Sequence, residues 1–159
     1  MVNRFVIPLF WALFGAFVLL VVVMQVLMES PLRQSINDSL GASFVPMLLF
    51  VVGALFFLLG LALLILAIKA DVDKTFKIFL ILTGAAAVGI FASMLLHNFV
   101  YGAFIKLFGP DFWERTGLGD EPFFFIMAIF ICPIAYLVGT VGSIVLIIRR
   151  RKHKASDLR

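Results

Sequence analysis

The chain has few of the residues from which soluble enzymes build their sites. It contains one cysteine and two histidines in 159 residues. A single cysteine excludes a disulfide within the chain and any CxxC redox or zinc pair. The two histidines, His97 and His153, lie in different sequence environments, so one subunit cannot supply a haem with two histidine ligands. No glycine-rich phosphate loop, HExxH helix or GxSxG elbow occurs.

Charged residues are also scarce. Only 14% of the residues are charged, 64% are hydrophobic, and the mean hydropathy is +1.17. A soluble domain of this composition would lack the polar surface needed to cover its core. The sequence therefore predicts an integral membrane protein whose main partner is the lipid bilayer. It gives no reason to expect a cofactor, a metal or nucleic-acid binding.

Four apolar runs predict an all-α, four-helix transmembrane bundle. They cover about residues 5–28, 44–68, 76–100 and 123–148. Each run has the ~20 residues that a helix needs to cross ~30 Å of hydrocarbon. The first run is longer than the core of a signal peptide, so we expect a retained helix. Residues 1–148 then form a single transmembrane domain, which is followed by a basic tail at 149–159.

Lys and Arg are distributed unequally between the two sides of this predicted bundle. Ten of the 13 lie on the side shared by both termini and the middle loop, whereas Arg33, Lys106 and Arg115 lie on the other. Because basic residues concentrate in cytoplasmic loops, both termini are expected to be cytoplasmic. The expected location is the plasma membrane, with the first and second long loops outside.

The connections differ in character. The middle loop, "KADVDK", is a tight turn, which predicts that the second and third helices are antiparallel neighbours. The second outer loop places Phe104, Phe108, Phe112 and Trp113 among charged residues, a composition typical of the headgroup region. Within it, "PDFWERTG" has Pro at a helix start and Gly at a helix stop, which predicts a short interfacial helix.

Small residues recur at intervals of four in the last two apolar runs. They are Ala85, Gly89 and Ser93 in the third run, and Ala135, Gly139 and Ser143 in the fourth. Small side chains permit the close backbone approach on which helix association in lipid depends. We therefore expect the third and fourth helices to pack through these stripes, although dimerisation through one stripe is an alternative. Within the fourth run, Pro133 removes a backbone hydrogen bond and predicts a kink.

Polar residues near the outer end of the spans form the candidate site. Gln25 and Glu29 share one face of the first helix, and His97 and Asn98 lie at nearly the same depth in the third. Buried polar groups in lipid are costly unless they are paired, so these four residues are expected to form an outer-leaflet polar layer. The layer is either a small site for a lipid headgroup, proton or metal, or a purely structural network.

Two charged segments have simpler explanations. In "GDEPFFF", Pro122 suits the first position of a helix, and Asp120 or Glu121 before it is expected to cap that helix. The basic residues Arg149, Arg150, Arg151 and Lys152 follow the last span directly. They are expected to stop translocation and to attract anionic lipid.

The sequence favours a non-enzymatic function. A packed bundle with a structured outer loop and a basic tail suits a protein that acts by helix–helix assembly, with itself or with partner membrane proteins. The alternatives are a small oligomeric transporter or channel, and a lipid-handling protein using the polar layer around Gln25 and His97. Ion coupling is disfavoured because the middle of every span lacks ionisable residues. A membrane enzyme with His97 as base lacks a supporting nucleophile or metal spacing.

Overall fold

The computed structural model describes residues 3–29, 36, 38–41 and 43–156. Along these residues the chain forms α1 (Asn3–Glu29), α2 (Phe44–Lys69), α3 (Lys74–Phe108), α4 (Phe112–Arg115), α5 (Pro122–Ile126), a π-helical segment (Met127–Ile131) and α6 (Cys132–Ser156). Four stretches are long and apolar enough to cross a membrane: Arg4–Gln25, Phe44–Lys69, Lys74–Phe108 and Pro122–Arg150. The prediction of an all-α protein with four candidate spans is confirmed.

The turn between α2 and α3 shows how local sequence ends one helix and starts the next. Asp73 precedes α3, and its side chain accepts a hydrogen bond from the Phe76 backbone N–H at 3.3 Å. Lys77 Nζ donates across the turn to the carbonyl oxygen of Ala70 at 3.1 Å. Because only residues 70–73 separate the two helices, α2 and α3 are antiparallel neighbours, as predicted. We call this end of the bundle the turn end, and the opposite end the cap end.

The long helices contact one another in chain order. α1 packs against α2, α2 against α3, and α3 against α6. The buried apolar core draws on all four, with Phe10 and Leu13 from α1, Phe56 and Leu63 from α2, Leu80 and Ala87 from α3, and Tyr136 and Ile147 from α6. In a membrane, the residues outside this core face lipid, which explains why many large apolar side chains are exposed on the bundle surface.

The core is concentrated toward the turn end. The ring of Tyr136 closes the gap between α1 and α6, with its centroid 4.5 Å from that of Phe17 and 5.5 Å from that of Phe56. Its hydroxyl donates to the Leu13 carbonyl oxygen at 3.5 Å. Beyond Leu13, none of the described side chains of α1 is fully buried. The cap-end half of α1 therefore has a surface that no other part of the described chain covers.

Two features of the last helix depart from a simple span. The π-helical segment Met127–Ile131 lies directly before Cys132 and Pro133. A proline ring clashes with the carbonyl oxygen four residues earlier, here Ile129, and a π-turn accommodates such an interruption. In addition, α6 continues to Ser156, so much of the predicted basic tail is helical. Extending an existing helix needs no new nucleation, and Arg, Lys and Ala are good helix formers. Residues 157–159 lie outside the described part of the chain.

α3 is longer than a membrane crossing requires. Its 35 residues correspond to about 52 Å at 1.5 Å per residue, against ~30 Å of hydrocarbon. The helix ends at Gly109, whose φ of 100° favours glycine. α4 then folds back onto the last turns of α3. The extra length of α3 thus provides the support on which the segment between α3 and α5 is built.

Candidate functional site

Glycines lie at close contacts between α2 and α3 and between α3 and α6. Six glycines of the long helices would place an added Cβ atom within 3 Å of an atom on a neighbouring helix: Gly53, Gly60, Gly84, Gly89, Gly139 and Gly142. Gly53 and Gly60 of α2 face Phe91 and Ala87 of α3, respectively. The small residue at each of these positions is therefore what allows the neighbouring helix to come close.

The predicted stripes lie partly at the contact between α3 and α6. A Cβ atom on Gly139 would lie 2.7 Å from the backbone nitrogen of Thr83, and one on Gly89 would lie 2.7 Å from Cys132 Sγ. Ser93 and Ser143 are buried, and Ala135 is half-buried. These five small residues therefore lie on or beside the packed faces of their helices.

Ala85 requires a correction, because it is exposed on the surface of α3. Thr83, Gly84, Ala86 and Ala87 around it are buried. A step of two residues turns about 200° around a helix, so Ala85 points away from the face that carries Thr83. Steps of four also drift by about 40° each, which moves the series 85, 89, 93 from the lipid-facing side toward the contact with α6. A constant spacing of four was therefore the wrong template.

Gly15 of α1 differs from the glycines at helix contacts. An added Cβ atom at this position would meet nothing within 4 Å. Gly15 lies near the middle of a candidate span and on the exposed side of the helix, together with Ala12. Gly102 also faces open space, but it lies in the part of α3 that exceeds the length of a membrane crossing. Gly15 is thus a small residue at mid-span with no partner in the described chain.

His97 is the centre of a polar cluster at the cap end. Its Nδ1 lies 3.1 Å from the Glu121 carbonyl oxygen and 3.3 Å from Glu121 Oε2. Its Nε2 lies 3.6 Å from Asp120 Oδ2. The His97 side chain is 18% exposed and that of Glu121 is 7% exposed, whereas that of Asp120 is 52% exposed. One imidazole is therefore held between two carboxylates that both precede α5.

Glu121 joins three parts of the chain. Its Oε1 accepts from the Phe123 N–H at 2.9 Å, and its Oε2 accepts from the Phe124 N–H at 3.0 Å. The predicted capping of the helix at Pro122 is confirmed, and the capping residue is Glu121. The same carboxylate contacts His97 of α3. Asp120 is fixed in turn, because its Oδ1 accepts from the Glu121 N–H at 2.7 Å.

The two other described members of the predicted polar layer, Gln25 and Asn98, have no hydrogen bond to His97. Gln25 is exposed, and no hydrogen bond joins it to His97 in the described part of the chain. Asn98 is also exposed, and its amide donates to the Met94 carbonyl oxygen one turn earlier. The side chain of Glu29 lies outside the described residues. The described side chains thus pair His97 with the segment before α5, because α3 contacts α5 directly, whereas none of the described α1 side chains beyond Leu13 is fully buried.

An aromatic cap, formed by Tyr101, Phe104, Phe108, Phe112 and Trp113, fixes α4 on the end of α3. The rings of Tyr101 and Trp113 stack with centroids 5.9 Å apart and planes 9° apart. Trp113 Nε1 donates to the Tyr101 carbonyl oxygen at 3.2 Å. Tyr101 also stacks on His97 at 6.5 Å, so the aromatic cap and the polar cluster are continuous. The predicted short helix is present as α4.

At the turn end, basic side chains lie around the contact between Arg150 and the Phe76 ring. The Arg150 guanidinium lies over the Phe76 ring at 4.5 Å and 3.6 Å from Asp73 Oδ2. Arg149 and Lys152 are exposed, and the side chain of Arg151 lies outside the described residues. This surface carries excess positive charge and is suited to anionic groups.

The chemistry available at the cap end is limited. No group of three or more metal-ligating side chains lies together among the described residues. Cys132 is buried within the bundle and contacts Gly89. His97 and its two carboxylates can bind and hold a proton, but no described hydroxyl or thiol hydrogen-bonds to the imidazole. Comparison with protein-family models, curated proteins and solved structures gave no match.

Proposed function

We propose that this chain is a non-enzymatic, multi-pass membrane protein that acts by assembling through α1 with a second copy of itself. The single observation that carries the proposal is the open space at Gly15. Glycine at mid-span in the other long helices serves close contact between helices. For the same reason, Gly15 would allow a helix from outside the monomer to approach α1 closely.

The surroundings of Gly15 support a helix–helix seam. Pro8, Ala12, Gly15, Leu19 and Val22 are all exposed and are separated by steps of 4, 3, 4 and 3 residues. That alternation keeps residues on one face where two helices cross with a left-handed twist. The inward face of α1 uses the same spacing at Val6, Phe10, Leu13 and Phe17 to contact the core. α1 thus has two such faces, and only one is used within the monomer.

A second copy is the simplest partner for this seam. Two copies inserted in the same orientation present identical faces, and a two-fold axis along the membrane normal closes the pair without leaving a free seam. Small residues at the centre, Ala12 and Gly15, allow the backbones to approach, and Leu19 and Val22 flank them. The absence of a charged residue from the seam lets it form inside hydrocarbon.

The proposed orientation places both termini and the α2–α3 turn in the cytoplasm and the aromatic cap outside, in the plasma membrane. The basic residues at the turn end support it through the positive-inside rule. In this orientation Arg149, Arg150 and Lys152 lie near anionic headgroups, each contributing about 1 kcal/mol of attraction. A reporter fused after Arg159 should give a cytoplasmic signal, and an exterior signal would reject the orientation.

Lipid handling is the second candidate. The observation that favours it is the cap-end part of α1, where none of the described side chains beyond Leu13 is fully buried. An acyl chain is a suitable partner for this exposed apolar surface. Native mass spectrometry in mild detergent separates the two candidates, because a dimer adds one protein mass and a retained lipid adds a few hundred daltons.

The test of assembly compares two substitutions that introduce the same side chain at exposed positions. Gly15→Leu fills the centre of the proposed seam on α1, whereas Ala85→Leu enlarges an exposed side chain on a different helix, α3. Subunit counting by photobleaching in dilute liposomes should give dimers for the wild type and for Ala85→Leu. Gly15→Leu should be mainly monomeric. A monomeric wild type, or a Gly15→Leu variant as dimeric as the wild type, would reject assembly through α1.

A further inference from the structure

The polar cluster at the cap end has a geometry that only a protonated imidazole satisfies fully. His97 Nδ1 points at two oxygens of Glu121, and Nε2 points at Asp120 Oδ2. A neutral imidazole carries one N–H, so only one of its nitrogens can donate. With the N–H on Nδ1, the lone pair of Nε2 faces a carboxylate oxygen. The lone pair and the carboxylate oxygen repel each other. The distance between Nε2 and Asp120 Oδ2, 3.6 Å, is consistent with this repulsion because it exceeds hydrogen-bond distance.

We propose that His97, Asp120 and Glu121 form a proton-binding latch that fastens the segment 109–121 to α3 when His97 is protonated. The proton resides on Nε2 and converts its contact with Asp120 Oδ2 into a charge-assisted hydrogen bond. The contact with Glu121 gains strength at the same time, because the donor ring becomes cationic. The latch is independent of assembly through α1.

The surroundings of His97 favour this response to a proton. From the segment before α5, Asp120 and Glu121 are the titratable groups that face the ring. Phe125 of α5 and Tyr101 of α3 present aromatic rings to it, at 5.7 and 6.5 Å between centroids. The described residues place no Lys or Arg in contact with His97. Each ring nitrogen therefore faces an acceptor oxygen.

The latch acts on a segment that is otherwise held to α3 by the ring contacts of the aromatic cap and by two hydrogen bonds. Trp113 Nε1 donates to the Tyr101 carbonyl oxygen, and Arg115 donates to the Phe108 carbonyl oxygen at 2.8 Å. Gly109, Gly117 and Gly119 all have positive φ, so the chain reverses sharply on both sides of α4. Asp120 and Glu121 are where the segment returns to the bundle. Fastening that point limits the opening of the part of the loop between α4 and α5, while α3 and α5 keep their own helical hydrogen bonds.

Hydrogen exchange of the full chain in nanodiscs tests the latch. Exchange of peptides from residues 109–121 is measured at about pH 5.5 and about pH 7.5, a range in which histidine titrates, and each rate is divided by the intrinsic rate at that pH. The wild type should be about tenfold more protected at the lower pH. His97→Gln keeps a neutral donor and should show no difference between the two conditions.

Two further variants separate the latch from other causes. Asp120→Asn keeps an acceptor for the Glu121 N–H but removes the charge facing Nε2, so most of the pH response should disappear. His153→Gln removes the only other histidine in the chain and should respond like the wild type. Equal protection of the wild type at both pH values would overturn the proposal. A pH response that survives His97→Gln would overturn it as well.

Discussion

Gly60 of α2 and Gly84 of α3 lie with their backbones in contact. A Cβ atom added to Gly84 would lie 3.0 Å from the Gly60 carbonyl oxygen and 2.9 Å from the backbone nitrogen of Leu64. A Cβ atom added to Gly60 would lie 3.3 Å from the Gly84 carbonyl oxygen. Because backbone atoms form both sides of this contact, neither helix can adjust by moving a flexible side chain. The two glycines set the distance between α2 and α3.

The first prediction concerns Gly84. Gly84→Ala should destabilise the protein by about 1–3 kcal/mol, because the methyl group forces two backbones apart in a close-packed contact. Unfolding in mixed micelles of mild detergent and dodecyl sulfate, followed by tryptophan fluorescence, measures the difference. Gly102→Ala is the matched control, since an added Cβ atom there meets nothing within 4 Å. Equal stability of the two variants would contradict the proposed role of Gly84.

The positions of the spans along the chain could be predicted from the sequence. The residues that form the contacts between the helices could be predicted only in part. Hydropathy and length located all four spans, and the short α2–α3 turn fixed one pair of neighbours. The stripe at Ala85 was wrong because the buried positions alternate by three and four residues. In α2 the buried positions 53, 56, 60, 63 and 67 follow this alternation, and in α3 the positions 76, 80, 83 and 87 do, although 84, 86 and 93 are buried there as well. That alternation is present in the sequence, but in lipid the outward faces are equally apolar, so hydrophobicity does not reveal it.

The second prediction is that Cys132→Ala compensates for Gly89→Ala at the contact between α3 and α6. A Cβ atom on Gly89 would lie 2.7 Å from Cys132 Sγ but 3.7 Å from its Cβ. Gly89→Ala should therefore destabilise by about 1–2 kcal/mol, and most of that loss should be absent when the substitution is made in a Cys132→Ala background. The same unfolding measurement, applied to the four members of the cycle, gives the coupling.

Gly139 provides the contrast for this cycle. Its added Cβ atom would meet both the hydroxyl and the backbone nitrogen of Thr83, at 2.6 and 2.7 Å. Thr83→Ala removes the hydroxyl but not the backbone, so it should leave Gly139→Ala destabilising. Thr83→Ala should restore less stability to the Gly139→Ala variant than Cys132→Ala restores to the Gly89→Ala variant. Equal recovery in the two cases would contradict the distinction between a clash with a side chain and a clash with the backbone.

The third prediction concerns Tyr136, which closes the core between α1 and α6. Tyr136→Phe removes only the hydroxyl, whose bond to the Leu13 carbonyl oxygen is 3.5 Å long, and should cost at most about 0.6 kcal/mol. Tyr136→Ala removes a ring that is fully buried between Phe17 and Phe56 and should cost about 3–5 kcal/mol. Similar losses in the two variants would mean that the hydroxyl, rather than the ring, stabilises this part of the bundle.

The polar cluster illustrates what sequence reasoning cannot supply. The depth of His97 and the capping role of the acidic pair before Pro122 both follow from local patterns, and the structure confirms that Glu121 caps α5. The pairing of His97 with Glu121 rather than with Gln25 depends on which helices are neighbours at the cap end. Sequence spacing fixes the height of a residue in the membrane, but the lateral order of helices follows from contacts between distant parts of the chain.

The last prediction concerns the turn end, where two adjacent arginines differ in their contacts. Arg150 lies over the Phe76 ring and near Asp73, whereas Arg149 is exposed and forms no ion pair or ring contact with the other described side chains. Both arginines contribute similar charge toward anionic lipid, so Arg149→Ala serves as the control for that effect. Arg150→Ala should destabilise the protein by about 0.5–1 kcal/mol more than Arg149→Ala does. Part of this difference in stability between the two variants should persist in high salt. Salt screens the exposed ion pair of Arg150 with Asp73 more than it weakens the contact of Arg150 with the buried Phe76 ring. If the two variants have equal stability in low salt, the contacts of Arg150 contribute nothing to holding α6 against the start of α3.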